Sequence, residues 1–298
     1  MNNVRVVRGD LEAFCGSVFG ALGVSVEAAL DASRVLVAAD ARGIASHGVG
    51  RLRRYVNGLR EGQMDAKARV ELVADRGTAL VFDAHGGLGA PASVTAMRAV
   101  LARAAEVGMA MATVTNSNHN GIAGFYAQMA LEHDCVGIAM TNTAALGVPT
   151  GGCEVMFGTN PLAFAAPAGR EAPFVLDMST TVVTRGKLEV YDRLEKPLPP
   201  GWAVDKNGVV AADARGVLDD MFRRAGGGIL QLGGAGTEHS GHKGYGLALM
   251  VDILCGLLAG AAFGPGISDT ATSSARVSHF FAAGRGQRPR AVRRFAGV

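Results

Sequence analysis

Strand-like and helix-like segments alternate between residues 69 and 141, and this alternation restricts the chain to few kinds of fold. Two short apolar runs, 70–73 and 79–82, flank Asp75-Arg76-Gly77, which predicts a β-hairpin. The pattern then predicts a helix at 92–106, a strand at 109–115, a helix at 122–133 and a strand at 136–141. Helices that alternate with strands in this way indicate a layered α/β domain.

Helical patterns dominate the chain before this domain. Predicted helices cover 11–22, 26–42 and 49–60, and Asp10 and Ser25 stand at the N-cap positions of the first two. Further along, the pattern predicts strands at 162–166 and 174–176, a helix at 181–191 and a long helix after Lys243. A chain of 298 residues with 49% apolar side chains favours two closely joined domains.

The composition argues against two classes of protein. The formal net charge is only +3, and five of the arginines lie in the last stretch of the chain: Arg285, Arg288, Arg290, Arg293 and Arg294. A nucleic-acid-binding domain needs a basic face on the folded body, usually with a known motif, so we predict no nucleic-acid partner. The most apolar stretch, 245–263, is interrupted by Asp252 and three glycines, which favours a buried helix over a membrane span.

The cysteines and the N-terminus bear on the cellular compartment. The chain has four scattered cysteines: Cys15, Cys135, Cys153 and Cys255. They form neither a CxxC pair nor a Cys/His metal spacing, so we expect reduced thiols and no metal site. The first ten residues contain no apolar segment of signal-peptide length. These features predict a cytoplasmic protein.

Side chains that could act on a small organic acid occur in two places. Ser46-His47-Gly48 sets a hydroxyl beside an imidazole, which can give or take a proton near neutral pH. Arg51 follows one helical turn later and could clamp a carboxylate with two parallel hydrogen bonds. His119 lies in a loop between a predicted strand and a predicted helix, where α/β folds often carry functional groups. Together these groups suit the interconversion of a 2-hydroxy acid and a 2-oxo acid.

Each of these features also has a simpler interpretation. Ser46 could cap the next helix, and either histidine could be a structural residue that makes one hydrogen bond. Arg51, followed by Arg53 and Arg54, could belong to a solvated basic face. The segment 87–92 matches the relaxed dinucleotide fingerprint, but a tight turn before a helix explains it without any nucleotide.

Five segments, taken in order, resemble the malate/L-lactate dehydrogenase family. They are 39–48, 116–119, 157–161, 176–179 and 241–244. The members of this family are NAD(P)-dependent 2-hydroxy-acid oxidoreductases without a Rossmann fold, and they include ureidoglycolate and sulfolactate dehydrogenases. The resemblance spans about residues 10–264, and five ordered matches are far more specific than any one of them.

The resemblance implies an α/β fold in which a mixed-sheet cofactor domain lies beside a mainly helical second domain. Residues 1–66, joined by part of 243–264, would form the helical domain. Residues 67–242 would form the mixed α/β cofactor-binding domain, and residues 265–298 are left as an atypical arginine-rich tail. The family likeness also implies a homodimer.

The resemblance implies a role for each matching residue. His47 is similar to the proton donor to the substrate oxygen, with Ser46 beside it in a relay. His119 is similar to a second active-site histidine, and which of the two histidines is the acid/base group stays open. Arg51 is similar to the residue that grips the substrate carboxylate, and Thr159 resembles a substrate contact. The implied cofactor, NAD or NADP, would be bound by five residues: Asp177, Met178, Ser179, His242 and Lys243.

Three features depart from the family pattern. Asn120 replaces the aromatic residue that usually follows the histidine. Lys187 stands where the cyclic-imine reductases of the family carry an acid, which favours a hydroxy acid such as malate, lactate or sulfolactate. After 277–281 the pattern stops, and the arginine-rich tail replaces residues that would complete the cofactor site. The alternative function is therefore that of an impaired homologue, which persists as a non-catalytic binding or dimerisation protein.

Overall fold

A seven-stranded mixed sheet forms the centre of the protein. The computed structural model describes residues 5–267 and 276–286. Its strands are β1 (Glu71–Asp75), β2 (Ala79–Asp83), β3 (Met109–Ser117), β4 (Cys135–Thr141), β5 (Leu162–Ala166), β6 (Phe174–Met178), β7 (Ala203–Val204), β8 (Gly228–Ile229) and β9 (Val277–Arg285). The large sheet has the order β1-β2-β3-β9-β4-β5-β6, and β7 and β8 form a separate small ribbon. Because β2 and β3 are parallel and the other neighbours antiparallel, the expected mixed-sheet α/β class is confirmed.

Helices cover both faces of this sheet. The described residues include α1 (Arg8–Ala21), α2 (Val26–Ala41), α3 (Leu52–Arg60), α4 (Gly89–Val107), α5 (Ala123–Met129), α6 (Arg185–Arg193), α7 (Ala214–Arg223) and α8 (Gly241–Asp252). The predicted hairpin is confirmed as the antiparallel pair β1–β2. The predicted helix at 122–133 is α5 followed by a 3₁₀ turn, Ala130–His133.

One apolar core joins the N-terminal helices to one face of the sheet. The Ser25 hydroxyl accepts a hydrogen bond from the Ala28 amide and so begins α2 at the predicted place. The apolar sides of α1 and α2 pack with α4 and the sheet around Phe19, Tyr126 and Phe281, which are fully buried. Burying each such side chain stabilises the fold by about 1.5–3 kcal/mol.

The opposite face of the sheet is covered by α8 and the π-helical turn that follows it, Ile253–Leu257. Phe280 faces this layer and Phe281 faces the N-terminal helices, because successive residues of a strand point to opposite faces. We expected part of 243–264 to join the N-terminal helical domain. Among the described residues, Val251 and Cys255 pack against Met140 and Phe280 of the sheet, and the assignment of 243–264 to the helical domain stays a prediction.

The strand β9 differs from the sequence prediction. Residues 265–298 were predicted to be a tail, yet Val277–Arg285 lies between β3 and β4 and pairs with both along its length. A central strand is buried on both faces and lacks the alternation that reveals a half-exposed strand. The segments 268–275 and 287–298, which include most of the predicted arginine-rich tail, lie outside the described residues.

A smaller lobe follows β6 and ends at α8. It contains α6, α7, β7 and β8 around a second apolar cluster that includes Leu188, Val217 and Ile229. The helix predicted at 181–191 begins only at Arg185, because Thr181 is held in a β-bridge to Gln231. No helix in the described part of the chain is long and apolar enough to cross a membrane. The division into domains at residues 66 and 242 stays a prediction.

Candidate active site

A 3₁₀ turn that ends at His47 holds the serine and histidine side by side. Ser46 Oγ lies 2.9 Å from His47 Nδ1. On the other side of the turn, the Asp40 carboxylate accepts a 2.8 Å hydrogen bond from the Val49 amide. Gly48 packs directly on this carboxylate, and a Cβ at that position would overlap it. The aspartate and the glycine therefore fix the backbone that presents His47.

Arg51 lies next to this pair. Its Nε donates a 2.7 Å hydrogen bond to the carbonyl oxygen of Ser46. The helix predicted at 49–60 instead starts with a 3₁₀ turn, and α3 begins one residue after Arg51. The bond to Ser46, the residue before His47, places Arg51 close to His47, as the sequence predicts.

His119 is held by a tyrosine from α3. The Tyr55 hydroxyl lies 2.6 Å from His119 Nδ1, and the Gly121 amide donates to the same nitrogen at 3.3 Å. An amide N–H can only donate, so Nδ1 is an acceptor in this network and the Tyr55 hydroxyl donates to it. The neutral ring therefore carries its proton on Nε2. Burial raises the pKa of Tyr55 to about 12, which keeps this donor protonated.

The structure brings the two predicted histidines together. The rings of His47 and His119 stack, with centroids 5.3 Å apart and planes inclined by 25°. Burial and the nearby Arg51 lower the pKa of His47 to about 4. Burial also lowers the pKa of His119, and the Arg51 charge, together with any charge on His47, lowers it further. Both rings are thus neutral near pH 7 in the free chain.

The loop that carries His119 is anchored from below. Asn118 Nδ2 donates to the carbonyl oxygens of Gly86 and Gly87 at 2.9 and 2.8 Å. At the start of α4, Gly89 lies so close to the Asn118 carbonyl that a side chain there would collide with it. This close approach of two backbones explains Gly89 of the dinucleotide fingerprint without a nucleotide, and Gly87 lies against Ala68 and the Ala84 carbonyl.

Hydrogen bonds also show where the segments that carry Asp177 and Thr159 lie. Asp177 accepts a 2.8 Å hydrogen bond from the Gly124 amide, at the start of the helix that follows the His119 loop. The Thr180 amide donates to Thr159 at 2.9 Å, and the Leu232 amide donates to Thr180 at 2.8 Å. The segment with Thr159, the segment 177–179 and the loop before α8 are therefore adjacent in the fold.

His242 and Lys243 lie in the first turn of α8 with exposed side chains. The Gly241 and Lys243 amides already donate to the carbonyls of Gly236 and Ser240, so the groups that can attract an anion here are the positive helix end and the two exposed side chains. This donor set fits the pyrophosphate of a nicotinamide dinucleotide. Partial desolvation raises the pKa of Asp177, and the Gly124 amide and Arg42 oppose that rise. Asp177, Met178 and Ser179 offer a carboxylate, an apolar side chain and a hydroxyl, which suit a ribose and its base.

Two of the departures from the family pattern have clear positions. Asn120 is buried, its Nδ2 donates to Ser93 Oγ at 3.0 Å, and its carbonyl accepts a hydrogen bond from the Tyr126 hydroxyl. It therefore belongs to the core beneath the loop. Lys187 lies on α6 with an exposed side chain.

Sequence reasoning missed three residues that shape the site: Tyr55, Asp40 and His279. Tyr55 belongs to a set of residues at helical spacing that are otherwise apolar. This pattern predicts that Tyr55 packs in the core, and it does not indicate the contact with His119. Asp40 belongs to the segment 39–48, but nothing in its spacing indicates the hydrogen bond to Val49. His279 lies in the unpredicted strand β9, where its ring bonds Ser117 and Thr141.

The chain is similar to proteins of one family over most of its length. The family described as "Malate/L-lactate dehydrogenase" matches residues 6–296. Malate dehydrogenase of Pyrococcus horikoshii is 42% identical over 280 residues, which cover 94% of this chain and 76% of that protein. Malate/(S)-sulfolactate dehydrogenase of Methanothermus fervidus is 37% identical over 257 residues, which cover 86% and 71%.

Solved structures agree with this match. The malate dehydrogenase of Entamoeba histolytica superimposes with a TM-score of 0.91 at 29% identity, covering 98% of this chain and 81% of that one. The relatives differ in the cofactor that their names give. An Escherichia coli relative is named ureidoglycolate dehydrogenase (NAD(+)), and one from Chromohalobacter salexigens is named (2R)-3-sulfolactate dehydrogenase (NADP(+)). From the sequence match and the shared fold together, the chain belongs to the malate/L-lactate dehydrogenase family.

Proposed function

We propose that the chain is an NAD(P)-dependent dehydrogenase that interconverts a small 2-hydroxy acid and its 2-oxo acid, such as malate, lactate or sulfolactate. The observation that carries the proposal is the stacked pair of His47 and His119, with Arg51 beside one ring and Tyr55 bonded to the other. A paired acid/base group next to an arginine suits a substrate that bears a carboxylate beside the reacting carbon.

The substrate carboxylate is assigned to Arg51, and Thr159 is assigned a contact with the rest of the substrate. The bond from Arg51 Nε to Ser46 fixes the plane of the guanidinium next to His47. A carboxylate held there places the adjacent carbonyl oxygen near the two rings. Holding the reactants in this geometry accelerates a reaction because their translational and rotational entropy is lost on binding, before the chemical step.

The two histidines are assigned the proton transfer. When bound, a reduced nicotinamide supplies the hydride that reduces the carbonyl carbon. The oxygen then needs one proton, and a neutral imidazole is a poor proton donor. A bound carboxylate offsets the Arg51 charge, which is one cause of the lowered pKa of both rings. Substrate binding thus favours the protonated histidine that the reduction requires, with Ser46 as a relay partner of His47.

The cofactor is assigned to the N-terminus of α8 and the strand end at 177–179. Lys243, with His242, would hold the pyrophosphate, and Asp177 and Ser179 would bond hydroxyl groups of a ribose. A carboxylate at such a position repels a phosphate on the same sugar. This argument favours NAD over NADP, and the assay with both nucleotides tests it.

We also propose a cytoplasmic homodimer. The four cysteines are free thiols, three of them buried, which suits a reducing compartment. The outer side of α8 and its π-helical turn exposes Leu249, Ile253 and Leu257, an uncharged surface of the kind that protein interfaces cover. Size-exclusion chromatography with light scattering measures the mass: about twice 30.6 kDa supports the dimer, and 30.6 kDa contradicts it.

The primary test is the loss of reduced-nicotinamide absorbance when the purified chain meets NADH or NADPH and a panel of 2-oxo acids. Oxaloacetate, pyruvate and sulfopyruvate are the 2-oxo acids that correspond to malate, lactate and sulfolactate. We expect turnover with at least one acid, and its loss in both His47→Gln and His119→Gln if the rings act together. If turnover survives in one of these variants, the histidine that this variant retains is the acid/base group.

The alternative is a chain that binds the cofactor without turning over any substrate. The assembled histidine, arginine and tyrosine contacts do not favour it, since a binding protein has no need of an acid/base pair. Quenching of tryptophan fluorescence by NADH, without absorbance loss for any acid, would support this alternative. Folding measured by circular dichroism separates it from a chain that is simply unfolded.

A further inference from the structure

A buried histidine lies under the loop that carries His119. His279 is in the central strand β9, where it is directly opposite Val114 of β3 and Thr141 of β4. Its side chain is fully buried. Its Nε2 lies 2.8 Å from Ser117 Oγ, and its Nδ1 lies 2.8 Å from Thr141 Oγ1. One imidazole ring thus bridges the two strands on either side of β9.

The bond between His279 and β3 lies where the pairing of β3 with β9 is irregular. The pairing of β3 with β9 shifts register between Val114 and Ser117, beside His279. Such irregularities bend a strand and redirect its side chains, and they are common next to active sites. Here Ser117, the last residue of β3, lies just beyond the irregularity, opposite Val277, and its side chain bonds the His279 ring. The ring therefore adds a side-chain bond to the strand end, next to the irregular pairing.

Ser117 leads directly into the active-site loop. Only Asn118 lies between Ser117 and His119, and its side chain is tied to Gly86 and Gly87. His119 is then fixed from above by Tyr55. The position of the imidazole therefore depends on two anchors, one at each end of a short segment. His279 provides the lower one.

The ring is suited to a fixed bond and unsuited to proton transfer. Burial lowers the pKa of His279 to about 3, so it stays neutral at working pH. Thr141 Oγ1 has further acceptors in the carbonyls of Asn142 and Ser278, at 3.0 and 3.1 Å. Each of the two neutral tautomers leaves both ring nitrogens with a hydroxyl partner. The ring is held in place from both sides.

We propose that His279 is a positioning residue, which fixes the loop bearing His119 by holding the Ser117 hydroxyl. The proposal rests on the role proposed above for His119 in proton transfer. A displacement of about 1 Å in a reacting group can cost about a hundredfold in rate, so a buried anchor two residues away has a measurable effect.

The test compares four variants of the full chain. Ser117→Ala removes one partner, and His279→Phe removes the ring nitrogens. His279→Gln keeps an amide that can still bond Ser117. Ser278→Ala is the control, because it makes the same chemical change on the neighbouring residue of β9, whose hydroxyl has no hydrogen-bond partner among the described residues.

Two readouts are needed, one of them independent of turnover. The ¹⁵N signals of histidine side chains report the tautomer and position of His119, and the His119→Gln variant identifies its signals. We expect these signals to shift in Ser117→Ala and His279→Phe, less in His279→Gln, and not in Ser278→Ala. In the assay we expect kcat to fall about tenfold or more in Ser117→Ala, while the Kd for the reduced nicotinamide stays within about twofold.

The outcomes are separable. His119 signals that stay unchanged in Ser117→Ala overturn the proposal, whether or not the wild-type chain turns over a substrate. Equal shifts in Ser117→Ala and Ser278→Ala also overturn it, because the effect would then be general to β9. Shifted His119 signals in Ser117→Ala, combined with a wild-type chain that turns over no substrate, would support the anchor and refute the dehydrogenase function instead. If His279→Phe fails to fold, Ser117→Ala alone decides.

Discussion

The imidazole rings of His47 and His119 stack with centroids 5.3 Å apart, although the two residues are 72 positions apart in the chain (119 − 47). The two rings come from different layers of the molecule: one follows α2 and the other follows β3. A charge on either ring raises the cost of a charge on the other. The pair is therefore poised to accept one proton when a negative group arrives.

Binding of an anion that mimics the substrate should take up a proton. At pH 6, above the pKa of about 4 of His47, the ring is neutral in the free chain. A carboxylate on Arg51 raises that pKa, so oxalate binding should draw a proton from the buffer. Calorimetric titrations in buffers of different ionisation enthalpy count the protons. Proton release, or no exchange, would contradict the mechanism, and Arg51→Gln should abolish the uptake.

Replacing Arg51 by lysine should weaken substrate binding more than cofactor binding. Lysine keeps the charge but cannot donate from Nε to Ser46 and hold a carboxylate at the same time. Loss of one charge-assisted bond of about 1.5–3 kcal/mol corresponds to a KM that rises by roughly ten to a hundredfold. Steady-state kinetics with the best 2-oxo acid measure it. Arg53→Lys, on the exposed side of α3, is the matched control and should leave KM unchanged.

Removing the Asp40 carboxylate should loosen the turn that presents His47. Asp40→Ala leaves the Val49 amide without its acceptor and opens a gap beside Gly48. We expect the free energy of unfolding to fall by about 1–2 kcal/mol and kcat to fall with it. Asp65→Ala removes a comparable bond, from the Lys67 amide, in a turn outside the site. A similar loss of kcat in that control would refute a specific role for Asp40.

His279 should make the protein sensitive to mild acid. Its pKa is about 3 in the fold and about 6.5 in the unfolded chain, so the unfolded state binds more protons between these values. Stability is then complete above pH 6.5 and declines as the pH falls toward 3, by about 1.4 kcal/mol per pH unit for one group. Urea unfolding at pH 7, 5.5 and 4.5 should show a shallower decline in His279→Gln. A parallel decline in both proteins would contradict this assignment.

Lys243 should matter for the cofactor and not for the fold. Its side chain is exposed in the first turn of α8, so Lys243→Ala removes a charge without opening a cavity. We expect the Kd for reduced nicotinamide to rise about tenfold at low salt, and the difference to shrink as salt is added. Fluorescence titration measures both. Lys206→Ala, another exposed lysine, should leave the Kd as it was.

Local sequence patterns were sufficient for some elements and not for others: α1 begins at Arg8, ahead of its predicted cap at Asp10. The Ser25 cap of α2 and the hairpin β1–β2 lie where the pattern predicts them. The pairing of β9 between β3 and β4 could not be predicted, because it depends on contacts with residues about 140 and 165 positions earlier. The alternation of apolar and polar residues that marks a strand is absent when both of its faces are buried.

The candidate site was predictable only in its parts. The segments with His47, Arg51 and His119 could be identified, and their proximity could be inferred from the family resemblance. The bond from Tyr55 to His119 could not, since a tyrosine at helical spacing looks the same whether its hydroxyl meets a backbone or a catalytic ring. The contributions of Asp40 and His279 likewise depend on tertiary contacts, and no local pattern encodes them.

The central position of β9 has a consequence for biosynthesis. Among the described residues, the strands β1–β3 and β4–β6 are joined in one sheet only through β9, which comes after all of them in the chain. While the ribosome is still adding the residues before Val277, the nascent polypeptide holds two half-sheets, each with an unpaired edge. Unpaired strand edges can pair with other chains. We therefore expect a growing chain to depend on chaperones most until β9 has been synthesised.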